Sequence, residues 1–504
     1  MLLRSLCISR LTRVLPLAVV AAALCLFAAA PAVAQFGGGG GGGGFGGGGG
    51  GGGLGGGGGG LGGGGGGTQG TGPFSGVAVD ADGVVRRVTG VDPTGRLAAM
   101  RAEQAFASLD REVARPSKLR KISLTRLVRL TNEAIAAGNA PDDVMQHLAG
   151  LTRIQYVFYY PETQDIVLAG PAEGWFVGPG DRVVGLESGR PVMELQDLAV
   201  ALRLFGPDAP KSSTNSLVFC SIDPTQEGLA RMQQFLSSVG HTFTQINADT
   251  EQMIVEGLQD SLGLQTVSVG GVPANTHFAQ VMVEADYRMK LIGIGLEQPP
   301  VRIQSFVSLA SAATIARNAL QRWYFVPDYQ RIKVTEDGNA AEFVGGGVKL
   351  VGEDEAVSAA GGRAGTGRQS GASRRFTKGF TDHYPELAEL EPVYGQLRNC
   401  IDMLIAAAFM KHQGLFEEAG FSLGAVGDES QYPLESYNAP RQVATAVNAM
   451  WKGNRLLTPV GGGVEIRPEA ALDPSNLQSD DGKVAKVRDE INLSSLPADQ
   501  WWWD

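Results

Sequence analysis

The chain has 504 residues, with 42 Lys and Arg against 52 Asp and Glu, a formal net charge of −10, and 72 glycines. An acidic balance of this size gives no overall attraction to a phosphate backbone, so nucleic acid is not an expected partner. With four cysteines, no Cys-x-x-Cys pair and no histidines at ligand spacing, a structural zinc site is not expected either.

Arg4, Arg10 and Arg13 precede an apolar run from Val14 to Ala30, and Ala32-Val33-Ala34 stands before Gln35. That is the order of a secretory signal peptide, over 1–34, with an A-x-A cleavage site. Leu24 before Cys25 argues against a lipid anchor; an uncleaved membrane anchor is the alternative. The longest later apolar run, Ile401 to Met410, falls short of the roughly 18 residues that span a bilayer. No transmembrane helix is therefore expected after cleavage, and the protein is expected to be exported to periplasm, cell surface or medium. Cleavage leaves 39 basic against 52 acidic residues, a net −13. Cys220 and Cys400 remain. One disulfide or two buried thiols both fit their apolar surroundings.

Residues 35–72 are almost all glycine, interrupted by Phe36, Phe45, Leu54 and Leu61. Such a segment cannot bury a core and loses much entropy on ordering, so it is expected to be a disordered tether. Residues 73–350 read as an α+β body. A hairpin is predicted around Asp82-Gly83. Helices are predicted over Leu97–Val113, from the helical spacing of Met100, Ala105, Phe106 and Leu109, and over Leu124–Ala137. Asn139 is placed to cap a third. Hairpins of similar shape are predicted at Ile154–Leu168 and Trp323–Val334. Leu217–Ile222 reads as a strand. Asp223-Pro224-Thr225-Gln226 then starts a helix that Gly240 ends.

The centre of the reading is Gly257–Phe306. From Val281 to Lys290 apolar residues alternate with Met282, Glu284, Asp286, Arg288 and Lys290, a period of two that predicts a strand. Val301–Leu309 reads as a further strand, giving a sheet of at least three. On a strand, Glu284 and Asp286 point the same way, roughly 6.5 Å apart. That pair, with His277 on the preceding loop, is the candidate acid–base set of a hydrolase. Arg288 and Lys290 continue the same face, and a solvated, ion-paired face is the stronger reading.

Residues 351–380 are polar and rich in glycine, serine and alanine, and read as a linker or long loop. Residues 381–467 read as a helical C-terminal part of the same body. Tyr384–His412 is mostly helical with a wide apolar face, and a second helix is predicted over Pro440–Lys452. The polar tail, 468–504, ends in Trp501-Trp502-Trp503, which fit a sugar face, a membrane interface or the body itself. Gly420-Phe-Ser-Leu-Gly424 has the form of a nucleophile elbow, but no histidine follows it to complete a triad. No nucleotide-binding, zinc-protease or calcium motif is present, so no cofactor is expected. The predicted fold is therefore α+β: a mixed or antiparallel sheet core with packed helices and a helical C-terminal region.

The stretch VPANTHFAQVMVEADYRMKLIGIGLE, with AGPAEGW at 169–175, SGRPV at 188–192 and PVYGQLRN at 392–399, resembles an uncharacterised, domain-of-unknown-function family of secreted planctomycete proteins. The resemblance covers roughly 75–460. It implies export and a folded body, and transfers no catalytic residue. Together these readings favour a non-catalytic cell-envelope or extracellular binding or structural protein with an envelope-protein or glycan partner. The alternative is a secreted hydrolase using Glu284, Asp286 and His277.

Overall fold

The computed structural model describes residues 73–91, 94–209, 217–239, 248–311, 319–448, 460–491, 493 and 496–504. The expected signal peptide and glycine tract lie outside the described residues. The longer helices are α1 (Arg96–Ser108), α2 (Leu124–Ala136), α3 (Leu195–Phe205), α4 (Gln226–Val239) and α5 (Ala248–Leu262). They continue with α6 (His277–Gly293), α7 (Gly371–Asp382), α8 (Tyr384–Leu390) and α9 (Pro392–His412).

The described strands form three sheets, and the architecture is α+β. In one sheet the order is β1 (Pro73–Val79), β2 (Val84–Val91), β15 (Gln442–Ala444), β9 (Leu264–Gly270), β8 (Val218–Asp223), β16 (Val460–Ile466), β10 (Ala319–Asp328), β13 (Gly347–Val357), β14 (Arg363–Gly365). A second runs β17 (Leu477–Ser479), β11 (Arg331–Val334), β12 (Ala340–Val344), β4 (Tyr156–Tyr160), β5 (Asp165–Ala172), β3 (Ser117–Ser123), β18 (Trp502–Trp503). The third is the hairpin of β6 (Trp175–Val177) and β7 (Val183–Gly185). Most pairs are antiparallel; β10 with β16, β2 with β15 and β11 with β17 are parallel.

The stretch expected to be a strand at 281–290 lies inside α6. Thr276 caps that helix, its hydroxyl accepting from the Ala279 N–H. Of its 17 residues 14 are buried, because α6 packs on β8 and β16 on one side and on α9 on another. A helix buried all round shows no single apolar stripe. The alternation in the sequence is incidental. The charged residues instead pair at helical spacing, Asp286 with Lys290 at 2.8 Å and Glu284 with Arg288 at 3.8 Å.

Lys290 is the anchor. Its Nζ donates to Asp286 Oδ2 at 2.8 Å, to Ile222 O at 2.9 Å and to Gly462 O at 3.3 Å. Ile222 and Gly462 face each other in the β8–β16 ladder. Close approach here needs glycine. A Cβ on Gly462 would fall 1.7 Å from Trp323 O, and one on Gly293 of α6 would fall 2.2 Å from the Trp323 ring. The sequence GGG at 461–463 is therefore a packing feature of strand β16.

Several further expectations differ from the structure. Val301–Leu309 is not a strand; it holds only a short helix, Phe306–Leu309. Trp323–Val334 is not a hairpin, since β10 pairs with β13 and β11 with β12, in different sheets. Residues 351–380 carry the end of β13, then β14 and most of α7, with the Ser370 hydroxyl capping α7 at Ser373 N–H. The helix expected at Pro440–Lys452 gives way to strand β15, and its last residues lie outside the described ones. Helix α1 forms, but Met100 and Phe106 are exposed rather than core-facing. Cys220 and Cys400 are buried free thiols.

The tryptophan tail packs back on the body. Trp501 is buried, and Trp502 and Trp503 pair with Ile122 and Lys121 as a strand beside β3. Arg120, fully buried, lies 4.7 Å from the Trp502 ring centre and forks onto Asp504 at 2.9 and 3.0 Å. Its Nη1 donates to the carbonyls of Val113 and Ala149, and its Nη2 is shared between Asp504 and the carbonyls of Glu112 and Arg115.

Two stability predictions follow from these anchors. Lys290→Met leaves Asp286 without its counter-charge and should cost about 3–5 kcal/mol, whereas Asp286→Leu with Lys290→Met should cost clearly less. Urea denaturation compares the two, and equal losses would refute the anchor. Deleting 502–504 strips Arg120 of carboxylate and ring together, and should lower the urea midpoint by an amount worth roughly 3 kcal/mol or more.

Candidate functional site

Fixing Asp286 and Lys290 beneath the sheet turns the opposite side of α6 outward. At about 100° per residue, His277 and Glu284 lie within roughly 20° of each other on that side, while Asp286 is about 200° round from Glu284. Both outward residues line a cleft of about 750 Å³. Of the predicted site residues, the structure thus brings His277 and Glu284 together and sends Asp286 into the interior, 0% exposed. Burial pushes the Asp286 carboxyl up to about 6, despite Lys290 beside it.

The cleft is built from separate pieces of chain. β1 supplies Val77–Val79, the start of α3 supplies Glu194–Gln196, and α6 adds Gln280 to His277 and Glu284. Gln396 enters from α9, Arg182 from the loop before β7, and Tyr432–Asn438 close one side. That last loop is tied across α6 and β1. Tyr437 N–H donates to Asn275 O at 2.8 Å, Gln280 Nε2 to Asn438 O at 2.8 Å, and Asn438 Nδ2 to Val79 O at 2.9 Å.

His277 is held by two acids. Its Nδ1 lies 2.8 Å from Asp197 Oδ2, and its Nε2 lies 3.9 Å from Glu194 Oε1 and 3.3 Å from Gln396 Nε2. Burial alone would depress the imidazole. The Asp197 and Glu194 carboxylates outweigh it and raise His277 to about 9, so the ring is a cation at neutral pH. Asp197 sits behind the ring, and burial pushes its own carboxyl up.

Glu284 is also engaged. Arg182 Nη2 donates to its Oε1 at 2.5 Å, and the same guanidinium hydrogen-bonds Gln396 Oε1. Behind it, Arg288 bridges Glu297 at 2.7 Å and Glu391 at 2.9 Å. His147 stands on another wall, 3.1 Å from Asp143 and 5.2 Å from the Trp175 ring. Burial opposes its charge, and Asp143 raises its pKa overall.

Arg182, Asp197, Glu194, Gln396 and His147 come from distant segments with no motif among them, so nothing in the sequence singles them out. Their signal is tertiary: each meets His277, Glu284 or the same cleft only after α6 is placed. Among the described residues no group of three or more His, Cys, Asp or Glu side chains is arranged to hold a metal ion. No helix among them is long and apolar enough to cross a membrane.

The raised His277 gives a signed pH effect. A folded pKa near 9 against an ordinary 6.5 contributes stability that is complete below 6.5 and lost as pH rises through 9. His277→Gln should flatten the stability–pH curve in that window by an amount on the order of 2–3 kcal/mol. Urea midpoints from pH 6 to pH 9.5 read this directly, and an unchanged slope in the variant would refute the pairing.

Residues 220–306, from β8 through α6, match a family described as a protein of unknown function (DUF1598). No curated protein and no solved structure matches the chain. The matched stretch carries both the Asp286–Lys290 anchor and the cleft residues His277, Gln280 and Glu284.

Proposed function

We propose that the chain is an exported, non-catalytic binding protein whose cleft takes a hydroxyl-rich ligand of glycan type. One observation carries this reading: the cleft is walled by side-chain amides (Gln146, Gln196, Gln280, Gln396, Asn438), carboxylates (Glu194, Glu284) and the rings of Tyr432 and Tyr437. Amides and carboxylates offer paired donors and acceptors that suit vicinal hydroxyls. Tyrosine rings offer flat apolar faces with a polar edge for the carbon skeleton of a sugar. A cleft of this size holds one or two sugar rings, by comparison with the roughly 300–1,000 Å³ of small-molecule sites. Export is supported by the basic, apolar and A-x-A order of residues 4–34 and by the phrases that resemble secreted planctomycete proteins.

The hydrolase reading is weaker on this geometry. It needs two carboxylates facing one bond, and α6 places Glu284 and Asp286 on opposite sides. A His277 held in its protonated form by the Asp197 and Glu194 carboxylates is no general base at neutral pH. Glu284 is already bound to Arg182.

Screening the purified full chain on an array of neutral and acidic oligosaccharides should give binding without cleavage. Gln280→Ala should weaken it roughly tenfold, as the loss of about 1–1.5 kcal/mol predicts. Product formation that disappears in Glu194→Gln or Glu284→Gln would replace the binding reading with the enzymatic one. N-terminal sequencing of the protein recovered from its producing cells should begin at Gln35, and a chain still beginning at Met1 in the membrane fraction would overturn cleavage.

A further inference from the structure

A second polar cluster lies on the other side of α9. Gln396 of that helix reaches the cleft; Arg398, two residues on and about 200° round the helix, points elsewhere. Arg398 is only 6% exposed. Among the described residues it donates no hydrogen bond and joins no ion pair, and its Nε is shut off from solvent without an acceptor. Asp402, one turn along, is already occupied. Its Oδ2 accepts from Arg153 Nε at 3.1 Å and its Oδ1 from the Tyr329 hydroxyl at 2.5 Å. Arg153 in turn has a buried Nη2 with no acceptor. Burial and the charge of Arg153 push the Arg398 pKa down, and Arg190 adds to that effect.

The cluster therefore holds an excess of positive charge with unused donors. Arg190 is paired with Glu389 at 2.9 Å, which leaves Asp402 as the acid shared by Arg153 and Arg398. Side-chain exposure rises from 14% at Arg153 to 35% at Arg190, so the cluster opens to solvent on that side. Gly347 borders it with φ +84°, and a Cβ there would sit 3.1 Å from Arg398 Cγ and 3.5 Å from Arg153 Nη2. Beside it, a Cβ on Gly346 would meet only Pro385, at 3.5 Å. Gly347 thus keeps a side chain out of the space beside Arg398 and the Arg153 guanidinium. Planar guanidinium forks bind tetrahedral oxyanions through paired N–H donors. A buried charge with no partner is strongly destabilising, whereas a bound anion would compensate it.

We propose that Arg398 and Arg153, with Arg190 at the mouth, form a binding site for a phosphate or sulfate group. The site is separate from the cleft and does not depend on what the cleft binds. Inorganic phosphate, inorganic sulfate and methyl phosphate are the probes, each titrated into the full chain at ionic strength matched with chloride. Calorimetry should show saturable binding of phosphate or sulfate, and the melting temperature should rise with it. Methyl phosphate binding as well as inorganic phosphate would assign the site to a group carried on a larger ligand; failure of methyl phosphate alone would assign it to the free ion. Arg398→Met should abolish binding and, in chloride, melt above the parent, because it removes an uncompensated charge. Arg398→Lys, which keeps the charge and loses the fork, should fold and bind at least tenfold more weakly. His277→Gln in the cleft should leave phosphate binding unchanged. The proposal is overturned if neither inorganic ion binds saturably. It is equally overturned if binding persists in both Arg398 variants.

Discussion

The ammonium of Lys290 decides how the central helix meets the larger sheet. A lysine beneath a sheet is costly unless its three donors are satisfied, and here a carboxylate one turn away and two carbonyls facing each other in the ladder satisfy them. Only one rotation of α6 about its axis places Asp286 and Lys290 together under Ile222 and Gly462. The same rotation fixes everything on the opposite side. His277 and Glu284, seven residues apart, are carried outward together, and the loop 432–438 closes over the end of the helix that they mark. The cleft is in this sense a consequence of the anchor.

The sequence shows why this was hard to read. Buried on every side, α6 offers no amphipathic stripe, and its residues happen to alternate for ten positions. The informative pattern was in the charges. Glu284 with Arg288 and Asp286 with Lys290 are both acid-to-base pairs at a spacing of four, which favours a helix. Thr276 after Pro273 is a capping signal of the same kind as Thr225 after Pro224, whose hydroxyl, rather than the expected Asp223 carboxylate, accepts from the Gly228 N–H at the start of α4. Elements with a plain apolar signal were legible: α2 through its single apolar face, and β4, β5 and α9 through long apolar runs. Elements whose meaning is tertiary were not. The Gly461–Gly463 run lies in strand β16, and why it is glycine shows only once Trp323 and Cys220 are seen to occupy the space of the missing side chains at 462 and 463. The tryptophan tail resembles a free binding surface until Arg120 is found waiting for it. Of the candidate site, the sequence supplied two wall residues, and gave no means of gathering Arg182, Asp197 and Gln396 around them.

The cleft residues are restrained before any ligand arrives. Arg182 joins the loop before β7 to Glu284 on α6 and to Gln396 on α9. Asp197 on α3 orients the His277 ring from behind. Four elements are thereby tied through side chains at one wall. Such restraint lowers the entropy lost on binding, which is where a cleft of weak individual hydrogen bonds gains affinity. It also places cationic Arg182 and His277 among Glu194 and Glu284, so that the wall presents donors and acceptors in alternation rather than one sign of charge.

Helix α9 extends the same reasoning to the far side. It is buried along 18 of its 21 residues, yet carries Gln396, Arg398, Asn399 and Asp402 in its middle. For packing alone, apolar side chains of similar size would serve as well or better, because buried ions regain little of their desolvation cost. Gln396 has a visible use in the cleft wall, Asn399 reaches the Pro191 carbonyl at 3.1 Å, and Asp402 holds Arg153 and Tyr329. Arg398 alone of the four makes no hydrogen bond or ion pair among the described residues. A chain that places its least satisfied cation beside a glycine turn, on a helix otherwise filled with used polar groups, has reserved that cation for something outside itself.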